Sequence, residues 1–189
     1  MVSIFELWLP ILLSAAGVFI ASSIIHMMLQ YHKNDNKQLP NEDQIRNDLN
    51  KYNIPPGDYV VPYARDNKER QTPEFTEKMK QGPVIFMTVF PKGEIKMGKS
   101  FFLWFLYCIV IGIFAAYISG RALGPDAHYL AVFRFAGATA FVGYSLALWQ
   151  DIIWYNRNVS AVIKSTIDGL IYALITAGFF GWLWPSAVS

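Results

Sequence analysis

The sequence predicts an all-α membrane protein, a four-helix transmembrane bundle with a small α+β cytoplasmic insert between helices 1 and 2. Apolar residues make up 53% of the 189 residues and charged residues 16%, whereas an average soluble domain is about 25% charged. The charge is also segregated, since 12 of the 16 Lys and Arg residues lie between Lys33 and Lys99. The net charge of +2 is too small to indicate nucleic-acid binding, so the lipid bilayer is the expected partner.

Four segments are long and apolar enough to cross a hydrocarbon layer about 30 Å thick, which takes about 20 helical residues. They run over residues 7–30, 101–123, 129–155 and 159–184. Because a bilayer core offers no water to unpaired backbone groups, each span is expected to be a helix. The chain is therefore predicted to comprise helix 1 within residues 1–30, a polar insert over residues 31–100, and helices 2–4 within residues 101–189.

The distribution of basic residues predicts the orientation. No Lys or Arg precedes Lys33, so the first span lacks the basic start of a cleavable signal peptide. By the positive-inside rule, the insert is expected in the cytoplasm and both termini outside. Four tryptophans lie near the ends of the spans, as an interfacial aromatic belt would place them. They are Trp8, Trp154, Trp182 and Trp184.

The insert is predicted to contain two short helices and two extended segments. The first helix is expected over residues 41–52, with two acidic residues in its first turn. The second is expected to begin after Thr72, which serves as its cap, and to end by Gly82. Residues 58–63 and 84–89 are expected to be extended. A unit of this size is too small for a large core of its own.

Small residues recur every fourth position along several predicted spans. Residues four apart share one helix face, and small side chains there let two backbones approach closely. The set comprises Gly112, Ala116 and Gly120 in the second span and Gly169, Ala173, Ala177 and Gly181 in the fourth. Packing inside the bundle is the expected use of these faces, and contact with another subunit is the alternative. A homo-oligomer and a larger membrane complex therefore both stay open.

Ionisable residues within the spans are the candidate functional residues, because a charge in hydrocarbon is costly. Asp168 lies about nine residues into the fourth span, about 13 Å deep at 1.5 Å per residue. Lys164 lies one turn before it, and Asp151 lies near the same end of the third span. These three residues are expected to form a structural ion cluster, and the alternative is a proton- or ion-handling Asp168. Glu6 and Arg134, near the outer ends of their spans, form the other candidate pair.

Two histidines lie where the first span is expected to leave the membrane. His26, His32 and Asp35 are close in sequence, but their spacing matches no metal-ligand pattern. Polar interfacial histidines are therefore expected, and no metal ligand, cofactor or catalytic residue is assigned. The single cysteine, Cys108, lies in an apolar run and provides no disulfide framework.

Four stretches are distinctive when they are taken together. They are residues 53–59 (NIPPGDY), 81–84 (QGPV), 129–137 (YLAVFRFAG) and 168–185 (DGLIYALITAGFFGWLWP). With these stretches the chain resembles, over nearly its whole length, a family of small, uncharacterised bacterial inner-membrane proteins. The resemblance implies a bacterial source and an inner-membrane location. It brings no activity, substrate or catalytic residue.

Three function classes remain open. A non-catalytic accessory or partner-binding subunit is favoured, because no Ser–His or Cys–His grouping and no phosphate-binding glycine loop occurs in the sequence. A small oligomeric channel or a proton- or ion-coupled transporter would use Asp168 and Arg134. Four spans without an evident internal repeat are few for a transporter. A membrane-embedded enzyme has only the histidines near the membrane in its favour.

Overall fold

The computed structural model describes residues 1–94 and 96–187, and the chain divides into two compact units. The first is a helical bundle formed by Met1–Asn36 and Lys96–Ser189, and the second is the insert, Lys37–Ile95. The insert therefore begins later than residue 31, because the turn that follows the first helix belongs to the bundle.

The described residues form eight α-helices and two β-strands. The helices are α1 (Trp8–Ser23), α2 (Glu42–Asn50), α3 (Asn67–Arg70), α4 (Pro73–Gln81), α5 (Met97–Ala122), α6 (Tyr129–Ser145), α7 (Trp149–Tyr155) and α8 (Val159–Trp182). The strands are β1 (Gly57–Val61) and β2 (Ile85–Val89).

The predicted set of four long apolar helices is confirmed. The segments long and apolar enough to cross a membrane are Ile4–Met28, Met97–Ala122, Tyr129–Tyr155 and Val159–Trp182. The first of them starts with a 3-10 turn before α1 and ends with a π-helical turn after it. The third consists of α6 and α7, joined by a 3-10 turn.

The start of the first segment is fixed by a capping box. Ser3 N donates to Glu6 Oε2 at 3.0 Å, and Phe5 N donates to Ser3 Oγ at 3.3 Å. These bonds satisfy backbone donors that have no partner within the helix. Glu6 is thus a cap, and within residues 1–94 and 96–187 it forms no ion pair with Arg134. The candidate Glu6–Arg134 pair is wrong.

Close approach between helices occurs at small residues. A Cβ atom added to Gly120 would lie 2.5 Å from the carbonyl oxygen of Val2, whose N–H donates to Gly120 O at 2.9 Å. A Cβ atom on Gly169 would overlap the Ser145 hydroxyl of α6. Small residues are required here because the Val2 backbone at Gly120 and the Ser145 side chain at Gly169 leave no room for a larger side chain.

The remaining small residues of the predicted stripes also face other parts of the bundle. A Cβ atom on Gly112 would lie 3.2 Å from Ile11 Cγ2, and one on Gly181 would lie 2.6 Å from the ring of Tyr129. Ala116, Ala173 and Ala177 are buried. These helix faces therefore pack against other helices of the same chain.

Two clusters of buried apolar side chains fill the bundle. One lies toward the first residues of the chain and contains Val2, Leu7, Ile11, Ala115, Ala116, Val132, Ala136 and Phe180. The other contains Ala15, Val18, Ile25, Cys108, Ile111, Ala140, Tyr144, Tyr172 and Ala173. The second cluster adjoins the end of the bundle at which α1 finishes and α5 begins.

Both segments of the insert that were expected to be extended contain a strand, and the structure pairs β1 and β2 as an antiparallel two-stranded sheet with Gly57 opposite Val89. Helices α2 and α4 lie within the segments expected to be helical. Thr72 Oγ1 accepts a hydrogen bond from Phe75 N at 3.2 Å and so caps α4, as predicted. Ala64 is the only buried residue in the described part of the insert. A unit with so little buried apolar surface has almost no core of its own.

Candidate metal centre

Polar side chains from two distant parts of the sequence meet at the end of the bundle where α1 finishes. We call this group the His–Asp cluster. It consists of His26, Tyr31, His32, Asp35, Lys164, Asp168 and Tyr172.

A break in the first helical segment brings its two histidines together. Residues six apart point about 120° away from each other around a regular α-helix, so His26 and His32 would face different directions on one. The helix ends at Leu29, which has extended backbone (φ −88°, ψ 119°), and a 3-10 turn, Gln30–His32, follows. As a result, the two imidazole rings lie with their centroids 4.6 Å apart.

Asp168 of α8 is the centre of the cluster. Its side chain is 3% exposed, and its two oxygens have separate partners. The Tyr31 hydroxyl donates to Oδ1, and His32 Nε2 lies 2.8 Å from Oδ2. His26 Nε2 lies 3.9 Å from the same Oδ2 atom. A buried carboxylate requires such partners, because leaving it unpaired away from water would be costly.

Asp35 and Lys164 surround this centre. Asp35 Oδ2 lies 2.6 Å from His32 Nδ1, and Lys164 Nζ donates to Asp35 Oδ1 at 2.6 Å. The hydrogen bonds from Lys164 and then from His32 lower the pKa of Asp35 below its usual value, so Asp35 is a carboxylate at neutral pH. Burial and the hydrogen bond to Asp168 raise the pKa of Tyr31, which keeps its hydroxyl a donor.

The cluster presents a recognisable set of metal-binding atoms. Ligand atoms of His26, His32 and Asp168 all lie within 4.8 Å of one another. Zinc ligands lie about 2.0–2.2 Å from the ion, which puts two of them about 3.4 Å apart in a tetrahedral site, so the side chains would have to move closer together to bind one. Two imidazoles and one carboxylate are the donor set of many catalytic zinc and non-haem iron sites. Asp35 supplies the carboxylate that typically orients a metal-binding histidine through its second nitrogen.

One side of the ligand set opens on a pocket of about 640 Å³. The His26 side chain is 51% exposed, whereas that of His32 is 16% exposed. His26, Asp168 and Tyr172 line the pocket, and the Tyr172 hydroxyl lies 3.4 Å from His26 Nε2. The other lining residues are Ser100, Leu103, Trp104, Tyr107, Tyr144, Leu148 and Ser165.

The ion cluster predicted from Lys164, Asp168 and Asp151 is wrong in its connections. Lys164 binds Asp35, and Asp168 binds Tyr31 and His32. Asp151 is exposed, and its side chain forms no ion pair with any residue that the structure describes. The residues that follow α1 therefore bind Lys164 and Asp168 in place of Asp151 of α7.

Arg134 lies outside this cluster. Its side chain is exposed and borders an apolar groove between α5 and α6, lined by Ile118, Phe135, Ala138, Thr139 and Val142. It therefore shares no ion-handling site with Asp168.

Sequence reasoning noted His26, His32 and Asp35 but did not connect them with Asp168. Asp168 is 136 residues after His32, and the histidine spacing fits no ligand pattern of a continuous helix. The contact depends on the break at Leu29 and on the packing of the following turn against α8.

No family model, curated protein or solved structure matches the chain. The resemblance to bacterial inner-membrane proteins stays a prediction, and function is inferred from the His–Asp cluster.

Proposed function

We propose that this chain is a multi-pass membrane protein that binds a divalent first-row metal ion through His26, His32 and Asp168. One observation carries the proposal: atoms of these three side chains converge within 4.8 Å of one another at the end of the bundle. The position of Asp35 on the second nitrogen of His32 adds the outer contact that such sites commonly have.

The four apolar helices support the membrane location. Large apolar side chains cover the outside of the bundle, among them Leu12, Ile20, Leu106, Phe114, Leu170 and Leu174. Apolar surface of this extent suits hydrocarbon better than water. With the basic insert in the cytoplasm and both termini outside, the His–Asp cluster would lie on the cytoplasmic side.

A hydrogen-bonded network without a metal is the competing interpretation of the cluster. It accounts for Tyr31, His32, Asp35 and Lys164, all of which have close polar partners. It also gives His26 a polar partner, since its Nε2 lies 3.4 Å from the Tyr172 hydroxyl, but 3.9 Å from that Nε2 to Asp168 Oδ2 is too long for a hydrogen bond. The metal interpretation is preferred because it also explains why His26 lies beside Asp168, where it completes a donor set of two histidines and one carboxylate.

The packing does not favour a channel or transporter path through a single chain. The opposite half of the bundle is filled by buried apolar side chains, and Leu7, Val132 and Phe180 are each 0% exposed. An ion path there would need polar groups or water along the pore. The interpretation as an accessory subunit stays a separate prediction, because the cluster itself identifies no protein partner.

Metal binding by the purified protein tests the proposal. After loading with Zn²⁺ or Co²⁺ in mild detergent and removal of free metal, we expect about one ion per chain, as for a three-ligand site. His26→Ala, His32→Ala and Asp168→Asn should lose that ion. Zn²⁺ at about 100 times its dissociation constant should stabilise the wild type by about 2.7 kcal/mol, and the variants much less.

His128→Asn is a matched control, because His128 is the third histidine of the chain and lies outside the cluster. Its Nδ1 atom accepts a hydrogen bond from Leu130 N at 3.2 Å, and asparagine can keep this cap. The control should bind metal as the wild type does. Equal metal content in the wild type and His26→Ala would contradict the proposal and leave the cluster a hydrogen-bonded network.

A further inference from the structure

We infer that a metal ion in the His–Asp cluster is the docking point for an amphiphilic ligand from the bilayer, a single-chain lipid-like acid. Its oxygen-bearing head would coordinate the ion, and its apolar body would occupy the adjoining aromatic pocket. The inference rests on the proposed metal site and names the class of ligand that the site would take.

The position of the protein ligands leaves the ion accessible from the pocket. Three protein ligands leave at least one coordination position for water or another molecule. His26 and Asp168 both line the pocket, whereas Tyr31 and His32 contact Asp168 without lining it. The open position therefore faces the pocket, where an oxygen atom of a bound molecule can reach the ion.

The aromatic wall of the pocket is apolar because its polar tips already have partners. Trp104 Nε1 donates to Ser22 Oγ at 2.8 Å, and the Tyr107 hydroxyl donates to Gly143 O at 2.7 Å. The two rings stack on each other with their centroids 5.5 Å apart. Ring faces with satisfied polar groups suit the apolar part of a ligand.

The pocket has a suitable size and opens toward the outside of the bundle. Its volume of about 640 Å³ lies within the range of about 300–1,000 Å³ that is usual for small-molecule sites. Leu103 and Tyr107, which line it, are 49% and 40% exposed. In a membrane, this side would face hydrocarbon or its boundary, so a ligand with an acyl chain can enter from the bilayer.

Alkyl hydroxamates test the inference, because the head group binds metal ions and the chain length can be varied. Binding of acetohydroxamate and decanohydroxamate would be measured by the spectrum of the Co²⁺-loaded protein and by calorimetry in lipid nanodiscs, with empty nanodiscs as a blank. We expect metal-dependent binding that is at least about tenfold tighter for the longer chain, since each buried methylene is favourable.

Two variants of α5 distinguish binding in the pocket from non-specific binding to the apolar outside of the bundle. Leu103→Ala should weaken decanohydroxamate binding by about tenfold and leave both acetohydroxamate binding and metal content unchanged. Leu106→Ala is the matched control, because Leu106 is similarly exposed (45%) but does not line the pocket. It should bind both probes as the wild type does.

The outcomes distinguish the inference from the proposed function. Binding of Co²⁺ with no dependence on chain length, or equal losses in Leu103→Ala and Leu106→Ala, would overturn the pocket inference and leave the metal site in place. Equal binding of decanohydroxamate to metal-free and metal-loaded protein would also overturn it. Failure to bind any metal would overturn both proposals together.

Discussion

His32 Nε2 lies 2.8 Å from Asp168 Oδ2, and this contact joins the turn after α1 to the first half of α8. The other ring nitrogen lies 2.6 Å from Asp35 Oδ2. The ring can donate to both carboxylates at once only when it is protonated. A metal ion on Nε2 would replace one of those protons and leave the bond from Nδ1 to Asp35 intact. The arrangement therefore suits both the metal-free and the metal-bound form.

Asp35→Asn should weaken metal binding without abolishing it. The amide keeps the shape of the side chain but is a weaker acceptor for His32 Nδ1, and loss of such an outer partner typically costs about 10–100-fold in metal affinity. Competition with a chromophoric chelator would measure the affinity. Asp151→Asn is the control, because Asp151 is exposed and outside the cluster. Equal affinities for the two variants would show that Asp35 does not orient His32.

Lys164 and Asp35 should be energetically coupled. Their side chains are 22% and 17% exposed, and Nζ lies 2.6 Å from Oδ1. A double-mutant cycle with Lys164→Met and Asp35→Asn should give a coupling of about 0.5–3 kcal/mol in the free energy of unfolding. Additive effects of the two substitutions would contradict this.

Lys78 and Glu74 provide the matched comparison for that cycle. Their ion pair has the same 2.6 Å distance, but the side chains are 57% and 78% exposed. Solvent screens an exposed pair, so its coupling should be the smaller of the two. If its coupling free energy is as large as that of Lys164 and Asp35, partial burial does not strengthen the Lys164–Asp35 ion pair.

Gly120→Ala should destabilise the bundle. The new Cβ atom would lie 2.5 Å from the backbone oxygen of Val2, and backbone cannot rotate away as a side chain can. Overpacking of this kind typically costs about 1–3 kcal/mol. Gly178→Ala is the control, because nothing lies within 4 Å of the position its Cβ atom would take. If thermal unfolding in detergent gives the same midpoint for both, the contact at Gly120 is unimportant.

The orientation can be checked by cysteine labelling in a Cys108→Ala background. Cys108 is 1% exposed, so an impermeant reagent should hardly reach it, and alanine removes any remaining background labelling. With the insert in the cytoplasm, an impermeant maleimide should label Ala187→Cys in intact cells. It should label Asn67→Cys only after permeabilisation. The reverse pattern would require the opposite orientation.

The sequence by itself determined where the long helices lie and where the insert interrupts them. Length and hydropathy are properties of consecutive residues, so the segment Val159–Trp182 is recognisable without its neighbours. The same holds for α4, whose start depends on Thr72 and Pro73 next to it. The small residues, such as Gly120, were identifiable by their spacing, although their contacts were not.

Only the tertiary structure decided which polar residues meet. Asp151 and Asp35 are both acidic residues near a helix end, yet Asp35 alone reaches Lys164, because the chain after Leu29 turns toward α8. Hydropathy does not specify the direction in which a side chain points around its helix, nor where a helix breaks. The rotation of α8, which turns Asp168 inward, and the break at Leu29 depend on packing between segments that are more than 130 residues apart. The candidate metal centre exists because those two features coincide.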